Sequence, residues 1–318
     1  MGTVPASDLI GARHPSIRRL RRLSRRRSSR SDEGLFVLDG PVLVAEALDA
    51  GVTVDEVVAE PGAPADLLAR AAGAGATVRS APPGTLAGAT DTTTPQPVAA
   101  VARLADASVD EALAAAGPLA LLLVGVADPG NAGTLLRSAE AAGAGAILFT
   151  DGAVDPYGPK CVRSSAGSLF RLAVVRSAGA AEVLAACHRA GARTFATVAH
   201  GPAPAYDAVD LSGAAGTAVV VLGAEAHGLP AEVAAAVDTA VTIPMAGRTE
   251  SLNVAMAGTV VCFEALRQRR ARAAGDLAGV PAGPGALPSP PTDWTGPPDR
   301  RHRGRLDPSP DPHSGTTT

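Results

Sequence analysis

The stretch LALLLVGVADPGNAGTLLR, residues 119–137, decides the fold. Leu119 to Val126 is a nearly continuous apolar run of strand length with no polar alternation, which reads as a strand covered on both faces. A tight Asp128-Pro129-Gly130 turn follows, and Ala132 to Ala142 has a helical pattern. Five more apolar runs lie downstream, at 146–150, 172–175, 194–198, 218–222 and 240–243, with helical patterns at 180–190, 231–237 and 252–272. Short buried strands alternating with helices predict an α/β domain on a parallel sheet, spanning residues 118–274.

Upstream, residues 31–98 read as a smaller α/β domain. It has strands at 35–38, 52–58 and 77–78 and helices at 41–50 and 65–72; Pro41 opens the first helix and Gly51 follows its end. The threonine- and proline-rich segment 90–97 ends this domain, and residues 99–117 read as a linker. Residues 1–30 form a basic arm: nine arginines fall between Arg13 and Arg30 with no acid among them, although the whole chain has a net charge of −3. Ile17, Leu20 and Leu23 would form an apolar helical edge among them. The tail, 275–318, is rich in proline, glycine and arginine and is expected to be disordered.

A chain of 318 residues has the length of about two domains. Hydrophobic residues make up 46% of it but aromatics only 3%, so Ala, Val and Leu must fill the core. The three cysteines, Cys161, Cys187 and Cys262, form no C-x-x-C pair, which argues against a disulfide framework or structural zinc and favours a reducing, cytoplasmic setting. No run reaches the ~18 apolar residues of a membrane span, and no secretory apolar core follows the basic start.

Ligands of a parallel α/β sheet collect outside the carboxyl ends of its strands. After the 119–126 strand come Asn131, expected at a helix N-cap, and Arg137, with Gly133 leaving room for a ligand. Beyond the 218–222 strand, Gly223, Glu225, His227 and Gly228 make a loop that permits close backbone approach. The last place is the segment from Ile243 through Met245 to Ser251, Leu252 and Asn253, which opens the final helix with Ser251 as its expected N-cap. Asn253 is a poor helix former unless it has a partner. There is no G-x-G-x-x-G after the first strand, which weighs against a nucleotide-dependent oxidoreductase.

Together these three segments resemble the motifs of the SpoU/TrmH family of RNA 2′-O-ribose methyltransferases. The stretch with Lys160, Arg163, Ser165, Gly167 and Phe170 is similar to the family's inter-motif region, and residues 16–98 resemble its ribosomal-protein-like substrate-binding domain. The second motif departs from the usual pattern at Ala224 and Ala226. The resemblance implies a deep trefoil knot with S-adenosylmethionine bound within it near Thr197, Leu222, Gly223, Gly228, Ile243, Met245 and Leu252, and no metal. It implies catalytic roles for Asn131, Arg137, Glu225, Ser251 and Asn253. A guanidinium keeps its proton at neutral pH, so Arg137 is better suited to clamping a phosphate than to acting as a base.

RNA would meet Arg18, Arg22, Arg25, Arg26, Arg27, Lys160 and Arg163, with a steep salt dependence. The resemblance also implies a homodimer, and 23S ribosomal RNA is favoured over transfer RNA as substrate. A catalytically inactive RNA-binding protein on the same fold would be expected to have lost Arg137 or Asn253, and both are present.

Overall fold

The structure is a computed structural model and describes residues 9–92, 94–199, 201–224 and 228–277. The expected tail falls, from residue 278 on, outside the described residues, as do Glu225, Ala226 and His227.

The arm is not free. Its residues form helices α1 (Pro15–Arg25) and α2 (Arg27–Glu33), with His14 capping α1 and Gly34 ending α2 in the left-handed conformation. Ile17, Leu20 and Leu23 are almost fully buried against one face of the first sheet, beside Val37, Val58 and Val101. The three-residue apolar spacing therefore docks the helix, and the arginines between are displayed in a fixed order.

That sheet consists of β1 (Leu35–Asp39), β2 (Val54–Ala59), β3 (Thr77–Ser80) and β4 (Val98–Arg103), in the order β1-β4-β2-β3. Helices α3 (Pro41–Asp49) and α4 (Ala65–Gly73) complete the unit. The linker expected over 99–117 is corrected here. Val98–Arg103 is an inner strand antiparallel to both β1 and β2, and its alanines lie where a strand covered on both faces needs small residues. Val109–Ala115 is helix α5, started by a capping box in which Ser108 Oγ accepts from the Glu111 N–H and Glu111 Oε2 accepts from the Ser108 N–H at 2.8 Å.

The second sheet is built from β5 (Leu119–Val124), β6 (Ala146–Thr150), β7 (Ala173–Ala178), β8 (Arg193–Thr197), β9 (Ala218–Gly223) and β10 (Thr239–Val241). All are parallel, in the order β10-β8-β9-β5-β6-β7. One face packs on α6 (Pro129–Ala141), α7 (Pro159–Ser165) and α10 (Val254–Leu277), and the other on α5, α8 (Ala180–Arg189) and α9 (Ala231–Ala236). Alternate residues of β5 divide between the two cores: Leu119, Leu121 and Leu123 face one, and Ala120, Leu122 and Val124 the other. The connection from β5 leads toward β6 and that from β9 toward β10, so the strand order switches direction between β5 and β9. A ligand crevice is expected at that point.

Gly133 does not leave room for a ligand. A Cβ there would overlap Ser164 Oγ and lie 2.8 Å from the Ser164 carbonyl carbon, because α6 and α7 cross in contact at this glycine. The two sheets share one core, with Phe36 of β1 5.0 Å from the Tyr157 ring and 6.1 Å from that of Phe170. Arg30 of α2 adds a buried ion pair with Asp155, Nη2 to Oδ2 at 2.6 Å.

Candidate active site

A cavity of ≈ 690 Å³ lies at the carboxyl ends of β8, β9 and β10. Thr197, Val198 and Ala199 line it from the end of β8, and Gly223, Ala224, Gly228 and Leu229 from the end of β9. The segment after β10 contributes Ile243, Met245, Glu250, Ser251, Leu252 and Asn253, and α10 contributes Val254 and Ala257.

The β9 loop is pinched shut at its base. Ala224 N–H donates to the Gly228 carbonyl at 3.1 Å and Gly228 N–H to the Ala224 carbonyl at 2.8 Å. Gly228 adopts φ +65°, and a Cβ on Gly223 would come within 2.5 Å of the Gly228 carbonyl carbon, so glycine is required at both positions. The turn thereby brings bare backbone to the cavity wall. Ile243, Met245, Leu252 and Val254 supply apolar surface to hold a planar ring, and the glycine backbone supplies polar edges for it. This size and mixture fit an adenosyl group.

Asn253 is the N-cap of α10, and this corrects the expectation for Ser251. Its Oδ1 accepts from the Ala255 N–H at 2.9 Å, while its Nδ2 donates to Asn131 Oδ1 at 3.1 Å. Asn131, in turn, sits inside the first turn of α6, whose N-cap is Asp128. The Asn131 N–H donates to Asp128 Oδ1 at 2.8 Å and holds that carboxyl below the usual range, with Lys160 Nζ 3.7 Å away. Asn253 thus has the partner that its position demanded.

Of the expected cofactor residues, Thr197, Gly223, Gly228, Ile243, Met245 and Leu252 line the cavity. Leu222 does not: it is fully buried, and the absent side chain of Gly258 on α10 makes room for it. Of the expected catalytic residues, Ser251 and Asn253 are on the wall and Asn131 is hydrogen-bonded to it. Arg137 lies outside the lining, exposed on α6, with no hydrogen bond or ion pair among the described residues. Val198, Ala199 and Ala257 were not expected. The first two follow a strand end directly and could have been read by that rule.

Arg163, expected to meet RNA, also has contacts within the chain. It faces the junction of the two sheets, where Nη2 donates to the Asp91 carbonyl at 2.8 Å and Nη1 lies 3.7 Å from Asp39 Oδ2. Burial raises the Asp39 carboxyl above its ordinary range, and the Arg163 charge opposes that shift. Among the arm residues, Arg18 and Arg26 are exposed and unpartnered among the described residues, whereas Arg22 pairs with Glu33 at 2.8 Å. Arg25 and Arg27 donate to the Gly88 and Ala153 carbonyls.

Burial pushes the Cys161 and Cys262 thiols up to about 12 and that of Cys187 up to about 11, so none is poised as a thiolate nucleophile. No group of three metal-ligating side chains occurs among the described residues, and no helix there is long and apolar enough to cross a membrane.

Residues 118–263 match the SpoU rRNA Methylase family, and residues 14–100 match the MRM3-like substrate binding domain. The chain is 31% identical over 239 residues to the 23S rRNA (guanosine(2553)-2′-O)-methyltransferase RlmP of Bacillus subtilis, covering 74% of this chain and 90% of the relative. The AdoMet-bound rRNA methyltransferase from Sinorhizobium meliloti superposes with a TM-score of 0.72 at 29% identity, covering 80% of this chain and 95% of that one. For the SpoU methyltransferase AviRb from Streptomyces viridochromogenes in complex with AdoMet, the TM-score is 0.73 at 27% identity, with 81% and 100% covered. With the cavity at the strand ends and the substrate-binding unit ahead of it, the chain belongs to the SpoU rRNA methylase family.

Proposed function

We propose that the chain transfers a methyl group from S-adenosylmethionine to a ribose 2′-hydroxyl of 23S ribosomal RNA. The observation that carries this reading is the Asn253 to Asn131 hydrogen bond. It ties the cavity wall to α6, the helix that presents the unpartnered Arg137. When bound, S-adenosylmethionine supplies an electrophilic sulfonium methyl. The chain's own work is to hold the adenosyl group between the β9 loop and the 243–254 segment and to bring the hydroxyl into line with that methyl.

Arg137 would clamp the phosphate beside the reacting ribose and favour the negative charge that develops on the 2′-oxygen. Asn131, Ser251 and Asn253 would orient the hydroxyl, with Glu225 completing the set by family resemblance. The trefoil knot that the resemblance implies belongs to the same reading, with the 243–254 segment as the threaded part.

Arg18, Arg22, Arg25, Arg26, Arg27 and Lys160 would bind the RNA backbone, and a cytoplasmic site follows from such a substrate. The test is transfer of labelled methyl to unmodified ribosomal and transfer RNA, followed by alkaline hydrolysis. Label in hydrolysis-resistant dinucleotides from 23S rRNA supports the reading; label in mononucleotides would mean base methylation and overturn it.

The same reading includes a homodimer through α10. Val254 and Val261 belong to the monomer core, but Met256 and Phe263, seven residues apart on one side of the helix, are 62% and 46% exposed. Phe263→Asp is expected to convert a dimer to a monomer in sedimentation equilibrium, since a charge there faces the partner's apolar surface. An unchanged mass would place any dimer contact elsewhere.

A further inference from the structure

The first turns of α1, the inner strand β2 and the edge strand β3 enclose a second cleft of ≈ 670 Å³. At its base is Glu56, only 8% exposed, on a strand that bulges between Val54 and Glu56. Glu56 points to the same sheet face as Val58, where an apolar residue would pack against α1. Its Oε1 accepts from Ser16 Oγ and from Arg79 Nε, both at 2.6 Å. Oε2 makes no hydrogen bond among the described residues and is open to the cleft.

Around the rim stand Arg18, exposed and unpartnered among the described residues, and Arg19 and Arg22, steadied by Glu33 at 3.4 and 2.8 Å. Four guanidiniums, counting Arg79, therefore face two carboxylates, and the cleft keeps a positive surplus.

A carboxylate oxygen open to the cleft offers a ligand an acceptor, and a bare phosphate would be repelled from it. The matching ligand is anionic at the rim and offers an N–H at depth. A nucleotide has that form, with its phosphate on one side and a base amino group on the other. We propose that this cleft takes one unpaired nucleotide of the RNA substrate, with phosphate at Arg18, Arg19 and Arg22 and a base amino group donating to Glu56 Oε2.

The inference rests on the RNA reading above and adds a base preference to it. Cytosine presents an exocyclic amino donor, whereas the base N–H of uracil, at N3, lies between two carbonyl oxygens that a carboxylate repels.

The test uses the full chain and fluorescein-labelled oligocytidylate and oligouridylate of about 12 nucleotides, within the range of single-strand site sizes. Oligocytidylate is expected to bind about tenfold tighter, the worth of one charge-assisted hydrogen bond. Glu56→Gln should shrink that preference to less than about twofold, and Arg18→Ala should weaken both oligonucleotides alike. Since Glu56 also holds Ser16 and Arg79, ultraviolet crosslinking of oligocytidylate to the unaltered chain gives an answer that needs no variant: adducts are expected within residues 14–22 or at Arg79. Equal affinity for both oligonucleotides, or adducts confined to other segments, would overturn the cleft. Methyl transfer to 23S rRNA, assayed alongside, separates the two ideas. Normal transfer without base preference sinks the cleft alone, and base preference without transfer sinks the enzymatic reading alone.

Discussion

Arg137→Ala is expected to lower the rate of methyl transfer by about 10²–10³-fold, the usual cost of removing one preorganised group that stabilises developing charge. The side chain is exposed on α6 and makes no bond among the described residues, so its loss should leave the melting temperature nearly unchanged. Alanine also favours the helix at least as well as arginine. Because Arg137 does not line the cavity, KM for S-adenosylmethionine should stay within about twofold while kcat falls, the pattern of an interaction made in the transition state. Arg137→Lys keeps the charge but loses the planar fork, and an intermediate rate is expected. Steady-state kinetics at saturating RNA decide the matter. A wild-type rate in the alanine variant would remove Arg137 from the chemistry.

The largest effect on stability should come from Arg30→Ala. Arg30 and Asp155 are each only 6% exposed, lie 125 residues apart and meet through two hydrogen bonds, Nε and Nη2 to Asp155 Oδ2 at 2.8 and 2.6 Å. Arg30 Nη1 also donates to the Leu23 carbonyl at 2.7 Å, and Asp155 Oδ1 accepts from the Tyr157 N–H at 3.0 Å. Removing the guanidinium strands a buried carboxylate, at a cost of about 3–5 kcal/mol. For a unit of this size that corresponds to a fall in Tm on the order of 10 °C. Pairing Arg30→Met with Asp155→Leu should recover most of the loss, because neither charge is then left buried alone. Calorimetry of the two variants tests this, and a single variant that melts within about 2 °C of the unaltered chain would show that the pair holds nothing together.

Arg30 also shows how far a sequence can be read. In the run from Arg13 to Arg30 it is one guanidinium of nine, with nothing local to set it apart. Its role depends on Asp155, which packing brings to it. Arg163 has the same history: it stands in a family-like motif, yet its contacts are Asp91 and Asp39 at the junction of the sheets. The alanine-rich strand 98–103 was hidden for a different reason. Small residues carry little hydrophobic signal, although a doubly covered strand demands them. Gly133 misled in the opposite sense, since its missing side chain serves the contact between α6 and α7.

Local pattern was enough for the parallel sheet, for the positions of the strand ends and so for most of the cavity, because a strand covered on both faces must be apolar throughout and ligands gather where such strands stop. The three motifs in order were enough for the family. Tertiary structure alone decided that the basic arm is a docked pair of helices, that Asn253 caps α10 and reaches Asn131 122 residues away, and that Glu56 meets Ser16 under a rim of arginines. Hydrophobic periodicity belongs to neighbours along the chain, whereas the partner of a buried polar group is chosen by whatever packing sets beside it.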